Sequence, residues 1–249
     1  LTESVTRVMP SPFAKPKTTP IGFAELIDVL GFTADERVSL LALPDRRVWI
    51  VPPQEAPAVL ADVGAGSNLF FGVNPVRATA TGRGTAADVT RLSCLWIDLD
   101  VKPGGCPTLD VARAIAAEVG LKLGCRPAVT VSTGAGLHCY WPLTSGGIPD
   151  GDTAAASLLL RWKLLVGEVA ARRDIKLDSV FDLPRMLRVP GSFNLKYGDT
   201  RPVTAEVYEE YEPLPLAAVT RALSAAGIPH IDVDTDPDEV SLPSEWEWG

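Results

Sequence analysis

Histidine is scarce in this chain: His138 and His230 are the only two among 249 residues. A His-based zinc centre, or a nuclease motif built on paired histidines, would need both to meet by coincidence, so those chemistries are set aside. Cysteine is scarce too. The four thiols, Cys94, Cys106, Cys125 and Cys139, lie 12, 19 and 14 positions apart, a spacing that fits neither a zinc knuckle nor a disulfide framework. Reduced thiols in a cytoplasmic compartment are expected. No apolar run approaches the roughly 18 residues of a membrane span, and the proline-rich start 1–20 lacks the apolar core of a signal peptide. A soluble, unexported chain with no membrane partner is therefore expected. Beginning at Leu1 without Met, the sequence reads as a trimmed piece of something longer.

What is present is ample apolar material. At 46% hydrophobic content the chain can build one large core or two small ones, which rules out a disordered protein. Its net charge of −8 argues at first against a nucleic-acid partner, because phosphate binding depends on Lys and Arg. The distribution reverses that impression. From residue 205 onward there are 11 acidic residues against a single base, Arg221, leaving 20 acidic and 22 basic residues in 1–204. Asp232, Asp234, Asp236, Asp238 and Glu239 alternate with Val, Thr and Pro, the pattern of a solvated linker. The alternative is an acidic tail that mimics DNA and folds back on a basic site.

Apolar periodicity predicts short helices over 23–31 and 54–62, with strands at 48–51 and 69–73. A loop follows over 74–89. Leu92 to Asp98 reads as a strand ended by Lys102-Pro103-Gly104-Gly105. Thr108 is a good N-cap for a helix that Gly120 would stop. Two strands, 128–132 and 137–142, flank the tight turn Thr133-Gly134-Ala135-Gly136 as a hairpin. The clearest helix spans 153–171, where Leu158, Leu159, Trp162, Leu165, Val166 and Val169 form one stripe. A short helix at 183–187, an extended stretch at 203–208 and a last helix at 214–225 complete the pattern. Strands arrive in pairs with helices irregularly between them, which predicts an α+β (mixed α/β) fold and not a doubly wound parallel sheet.

Three local constellations carry chemistry. In Leu95-Trp96-Ile97-Asp98-Leu99-Asp100 the two acids project from one strand face, about 6 to 7 Å apart along the chain. Two carboxylates facing one spot repel, by roughly 4 kcal/mol at 4 Å with an effective dielectric near 20, unless a cation lies between them. Hard divalent metals suit such oxygen ligands. The bland alternative is a strand end with two solvated acids. The second constellation is Ser132-Thr133-Gly134-Ala135-Gly136-Leu137-His138: glycines let the backbone approach an anion, hydroxyls donate to it, and a histidine two residues on can reach a phosphate oxygen. It also fits a plain turn beside a packed histidine. The third, 177–196, places Asp178 and Asp182 before Arg185 and Arg188, which on a helix would share a face and clamp a polyanion. Ser192, Asn194 and Lys196 alternate beyond them and would point one way from an extended segment. A surface basic patch with no ligand is the alternative there.

In that order the segments resemble the three motifs of the archaeo-eukaryotic primase superfamily, more specifically its primase-polymerase branch in phage and plasmid replication proteins. Trp96 to Asp100 resembles the hydrophobic-Asp-x-Asp/Glu motif, Ser132 to His138 the Ser-x-Gly-x-Gly-x-His motif, and Leu177-Asp178 the third, hydrophobic-Asp motif. The resemblance spans about 100 residues, from 95 to 196. It implies a catalytic core of an RRM-like module and a second small α/β module with the metal site in the cleft between them. It further implies that Asp98, Asp100 and Asp178 are catalytic and hold Mg²⁺ or Mn²⁺, with Asp182 a rival third ligand. Ser132, Gly134, Gly136 and His138 would meet the incoming nucleotide, and Arg185, Arg188, Ser192, Asn194 and Lys196 would partner nucleotide or template. Asn194 stands where archaeal relatives tend to carry histidine, and the family's zinc element is not evident.

The expected domain plan is a catalytic domain over 1–210, made of modules 1–90 and 91–210, followed by a C-terminal helix and acidic tail over 211–249. The expected activity is DNA primase and polymerase synthesis on a single-stranded DNA template from dNTPs, NTPs or both, with a helicase as domain or partner. The same residues fit two rival functions. A non-catalytic DNA-binding initiation module would use the same basic face, and a Mn-dependent glycosyltransferase also places Asp-x-Asp at a strand end.

Overall fold

The computed structural model describes residues 17–144, 148–149 and 153–231. In chain order the first part contains β1 (Thr18–Ile21), α1 (Phe23–Val29), β2 (Val38–Leu43), β3 (Arg47–Val51), α2 (Ala56–Val63) and β4 (Asn68–Gly72). The second contains β5 (Arg91–Leu92), β6 (Cys94–Asp100), α3 (Leu109–Leu123), β7 (Val129–Ser132), β8 (Gly136–Pro142), β9 (Ile148–Pro149) and α4 (Thr153–Ala171). The last contains β10 (Met186–Arg188), β11 (Phe193–Asn194), β12 (Arg201–Pro202), β13 (Thr204–Tyr208) and α5 (Leu216–Ala225). The expected acidic tail, 232–249, lies outside the described residues.

Two antiparallel sheets dominate. One runs β1-β13-β7-β8-β6, and the other β10-β4-β2-β3. In the first, β8 lies between β6 and β7, which α3 connects; this is the split β-α-β unit, extended past β7 by β13 and β1. Alternation along β6 sorts its side chains. Leu95, Ile97 and Leu99 pair across the ladder with Trp141, Cys139 and Leu137 and face the helices, where Trp141 meets Trp162 of α4 edge-on at 5.3 Å. Trp96, Asp98 and Asp100 point the other way, beside Tyr140 and His138, toward the second sheet, whose Phe71 ring lies 6.5 Å from that of Tyr140. The acids are thus aimed between the two sheets.

Several predicted boundaries change. Helix α3 runs through Gly120 to Leu123 and ends at Gly124 with φ 78°. Gly120 serves packing: a Cβ there would stand 2.8 Å from Cys125 O, where the chain turns back over the helix. Strand β2 has no alternating pattern because it is a central strand buried on both faces. The predicted helix at 183–187 is absent. Met186–Arg188 is instead a strand on the edge of β4, with Leu187 opposite Phe71 and the ladder continued by Val73 N to Arg185 O and Val189 N to Leu69 O. Pairing with a strand more than a hundred residues away satisfies that backbone better than one isolated helical turn does.

Candidate active site

Strand β6 brings Asp98 and Asp100 to the cleft, and the segment before β10 brings Asp178. The link between them is Trp96, whose buried indole N–H donates to Val180 O at 2.8 Å. Val180 and Phe181 are buried, so the segment is anchored and Asp178 stands on its outer end. Asp98, Asp100 and Asp178 line one small cleft together with Lys102, Gly105, Lys176 and Leu177. The rival acid is elsewhere: Asp182 ion-pairs with the buried Arg185, which also donates to Ser179 O at 3.0 Å. The structure therefore brings Asp178, and not Asp182, to the acid pair.

Asp98 and His138 are cross-strand neighbours, with His138 Nε2 3.4 Å from Asp98 Oδ1. The ring is only 4% exposed and is turned to the carboxylate, so it lies beneath Asp98 and not on the open wall. Neither Asp98 Oδ1 nor His138 Nδ1 has a hydrogen-bond partner within the described residues. Burial pushes the Asp98 carboxyl up, but the charge of His138, joined by Arg185 and Lys102, outweighs it and holds the acid below its ordinary range. Asp100 goes the other way. Burial, then the charge of Asp98, raises it, against a partial offset from Lys102. One acid is held ionised and its neighbour is pressed toward protonation, the response of two carboxylates sharing a site.

In sequence, Lys102 stands out only as part of a strand-ending turn. Its ammonium lies 3.4 Å from Asp100 Oδ2 and hydrogen-bonds Asp178 Oδ2, bridging the two acids. The signal was available, since Asp98, Asp100 and Lys102 share the period of two that puts side chains on one face. The donor set suits a hard divalent cation: three carboxylates on one cleft, with an ammonium already drawn between two of them. No three His, Cys, Asp or Glu side chains among the described residues form a complete metal cage, because Asp178 meets the pair through Lys102.

The hairpin Thr133-Gly134-Ala135-Gly136 forms as expected between β7 and β8. Gly136 lies opposite Asp100, and a Cβ on it would stand 2.4 Å from Leu99 O, so glycine alone lets the strands close there. Gly134 has φ 75° and presses on Arg201, whose Nη1 donates to Gly134 O at 3.1 Å. Ser132 is half-buried, whereas Thr133 turns inward, its hydroxyl accepting from Ala135 N at 3.3 Å. Nothing in the sequence around Arg201 announces its contact with that glycine, which only the fold creates.

The basic segment does not form the expected clamp. Arg185 is buried in its own turn. Arg188 is half-buried on β10, donating to Asn68 Oδ1 at 2.8 Å with its guanidinium 4.9 Å above the Phe70 ring. Burial lowers its pKa, while the charges of Asp100 and Asp98 raise it, which places it beside the acids. Ser192 Oγ donates to Val189 O at 2.6 Å, and Asn194 Nδ2 donates to Thr133 O at 2.9 Å, bracing the hairpin from behind. Both are buried, so they do not project in a row with Lys196. Lys196 is exposed, 6.0 Å from the Tyr197 ring, which Arg201 covers at 4.7 Å.

No protein-family profile matches the sequence, and no curated protein matches it either. Among solved structures, the AEP domain of the cyanophage S-2L primase-polymerase superposes over 81% of this chain and 96% of its own, with a TM-score of 0.56 and 18% identity. The structure of primase RepB′ matches over 83% of this chain and 62% of its own, with a TM-score of 0.48 and 12% identity. The fold is mixed α/β with antiparallel sheets, as the sequence pattern predicts, and it is archaeo-eukaryotic primase-like.

Proposed function

We propose that this chain, which has the archaeo-eukaryotic primase-like fold, is a nucleotidyltransferase that extends or starts DNA strands on a single-stranded template. The observation that carries the reading is the convergence of Asp98, Asp100 and Asp178 on one cleft, from strand β6 and a segment some eighty residues later, with a cation drawn between two of them. Asp98, Asp100 and Asp178 are the residues that would hold Mg²⁺ or Mn²⁺. Such ions, held there, would supply Lewis acidity that lowers the pKa of a 3′-hydroxyl and would offset charge on a leaving pyrophosphate.

The remaining roles fall to the chain's own groups. His138 holds Asp98 ionised and oriented from beneath. The Gly134–Gly136 hairpin, braced by Asn194 and Arg201, offers backbone and the Ser132 hydroxyl to the triphosphate of a dNTP or NTP. Arg188 supplies positive charge beside the acids, and Lys196 and Tyr197 form an exposed rim, backed by the half-buried Arg201 on the Tyr197 ring, that suits a strand's phosphates and bases. No helix among the described residues is long and apolar enough to cross a membrane. Residues 211–249 would tether a helicase in this reading.

The test is primer extension and unprimed synthesis on single-stranded DNA with labelled nucleotides and Mn²⁺ or Mg²⁺. The unchanged chain should incorporate nucleotide; Asp98→Ala should drop to background while its DNA affinity stays within about twofold, since phosphate contacts elsewhere carry binding. Undiminished synthesis by Asp98→Ala would overturn the assignment. DNA binding without any incorporation by the unchanged chain would make it a non-catalytic initiation module.

A further inference from the structure

Lys102 continues the row Asp98–Asp100 along the strand face, and the turn after it fixes where its side chain starts. Lys102 N donates to Cys106 O at 3.2 Å, Gly105 N to Lys102 O at 3.0 Å, and Cys106 N to Asp100 O at 3.0 Å. At Gly105 a Cβ would stand 2.9 Å from Asp100 O and 3.1 Å from Lys102 Cγ. Only glycine lets this turn press against the lysine stem and aim the ammonium back over Asp100. Meanwhile the pair it makes with Asp178 is open to water, the two side chains being 35% and 57% exposed. Such a pair is readily exchanged.

We propose that Lys102 is an exchangeable internal counter-ion of the carboxylate cluster. It holds Asp178 against Asp100 while no divalent cation is bound, swings off those oxygens when one binds, and then presents its ammonium to an anionic phosphate of the substrate. This rests on the reading of the three acids as metal ligands. A divalent ion brings two charges to oxygens that Lys102 supplies with one, and the lysine stem is long and flexible enough to leave. The displaced ammonium remains tethered at the rim of the cleft with three donors to offer.

The experiment is a Mn²⁺ titration of the full chain and of its Lys102→Met and Lys102→Arg variants. It is read by calorimetry and by the magnetic resonance signal of free Mn²⁺, with melting curves and nucleotide KM alongside. Removing the competing ammonium should tighten Mn²⁺ binding by about tenfold in Lys102→Met, while Lys102→Arg, which keeps the charge and reports on folding, stays near the original affinity. In EDTA the Met variant should melt lower, and the difference should close as Mn²⁺ saturates. Its KM for nucleoside triphosphate should rise several-fold with a smaller change in kcat. Equal or weaker Mn²⁺ affinity in Lys102→Met overturns the proposal. Failure of the underlying reading looks different: Mn²⁺ would not bind the unchanged chain, or would bind equally well after Asp98→Asn with Asp100→Asn.

Discussion

Replacing Asp100 by Asn should make the metal-free protein more stable while removing its chemistry. Two carboxylates two residues apart on a strand face lie about 6 to 7 Å from one another, so their repulsion at an effective dielectric near 20 is about 2.5 kcal/mol. Lys102, 3.4 Å away, offsets part of it, and solvent screens more, because the Asp100 side chain is 35% exposed. The net gain on neutralising Asp100 is then about 1 kcal/mol, or about 2 to 4 °C in Tm for a chain of this length. The direction follows from burial and the Asp98 charge, which raise the Asp100 pKa above 3.8. A carboxyl raised in the fold binds its proton more tightly than the unfolded chain does, so its ionised form subtracts stability above the folded pKa. The subtraction fades as pH falls through that value and is gone below 3.8. Melting curves in EDTA from neutral to acid pH should therefore show an advantage of Asp100→Asn that shrinks on acidification. Asp98→Asn is the opposite control. Its carboxyl is held low against burial by His138, then Arg185 and Lys102, so the ionised form adds stability above 3.8 that is lost as pH falls below it. A lower Tm for Asp100→Asn at neutral pH, or a gain that ignores pH, would refute the account of the acid pair.

Asp178→Asn and Asp182→Asn should separate function from stability. Asp178→Asn, at an exposed pair, should shift Tm by less than about 1 °C and stop nucleotide incorporation. Asp182→Asn deprives the buried Arg185 of that carboxylate and should cost about 1 to 3 kcal/mol, with synthesis retained in the folded fraction; the reverse pattern in melting and extension assays would make Asp182 the third ligand. Gly136→Ala should cost about 1 to 3 kcal/mol by overpacking, since its Cβ would stand 2.4 Å from Leu99 O. A melting curve unchanged from the original would show that the strands do not close there.

The sequence is most legible where one stretch of chain contains its own explanation. The period of two in Trp96-Ile97-Asp98-Leu99-Asp100 places both acids on one face whatever surrounds them, and the hairpin glycines declare their turn. It is least legible where the partner is remote. Met186–Arg188 pairs with Phe70 to Gly72, and nothing within three residues announces that ladder. Strand β2 hides because burial on both faces erases alternation. Arg185 and Asn194 carry functional side-chain types, yet the fold uses them to staple loops; only the burial of a charged group, which requires satisfied partners, tells the two uses apart.

Strand β6 organises the site twice over. Its own side chains present Asp98 and Asp100, and Trp96, two residues earlier on the same face, fixes the segment bearing Asp178 through Val180 O. Its backbone is held in turn, since Trp162 of α4 donates to Trp96 O at 2.7 Å. A displacement of β6 would therefore carry all three acids together and preserve their spacing, whereas loss of the Trp96 hydrogen bond would free Asp178 alone. Geometry among reacting groups is kept by tying them to one rigid element. That arrangement also explains why Asp178 is the most exposed of the three: it is held at one remove, through an indole and a lysine, whereas Asp98 is fixed directly against His138.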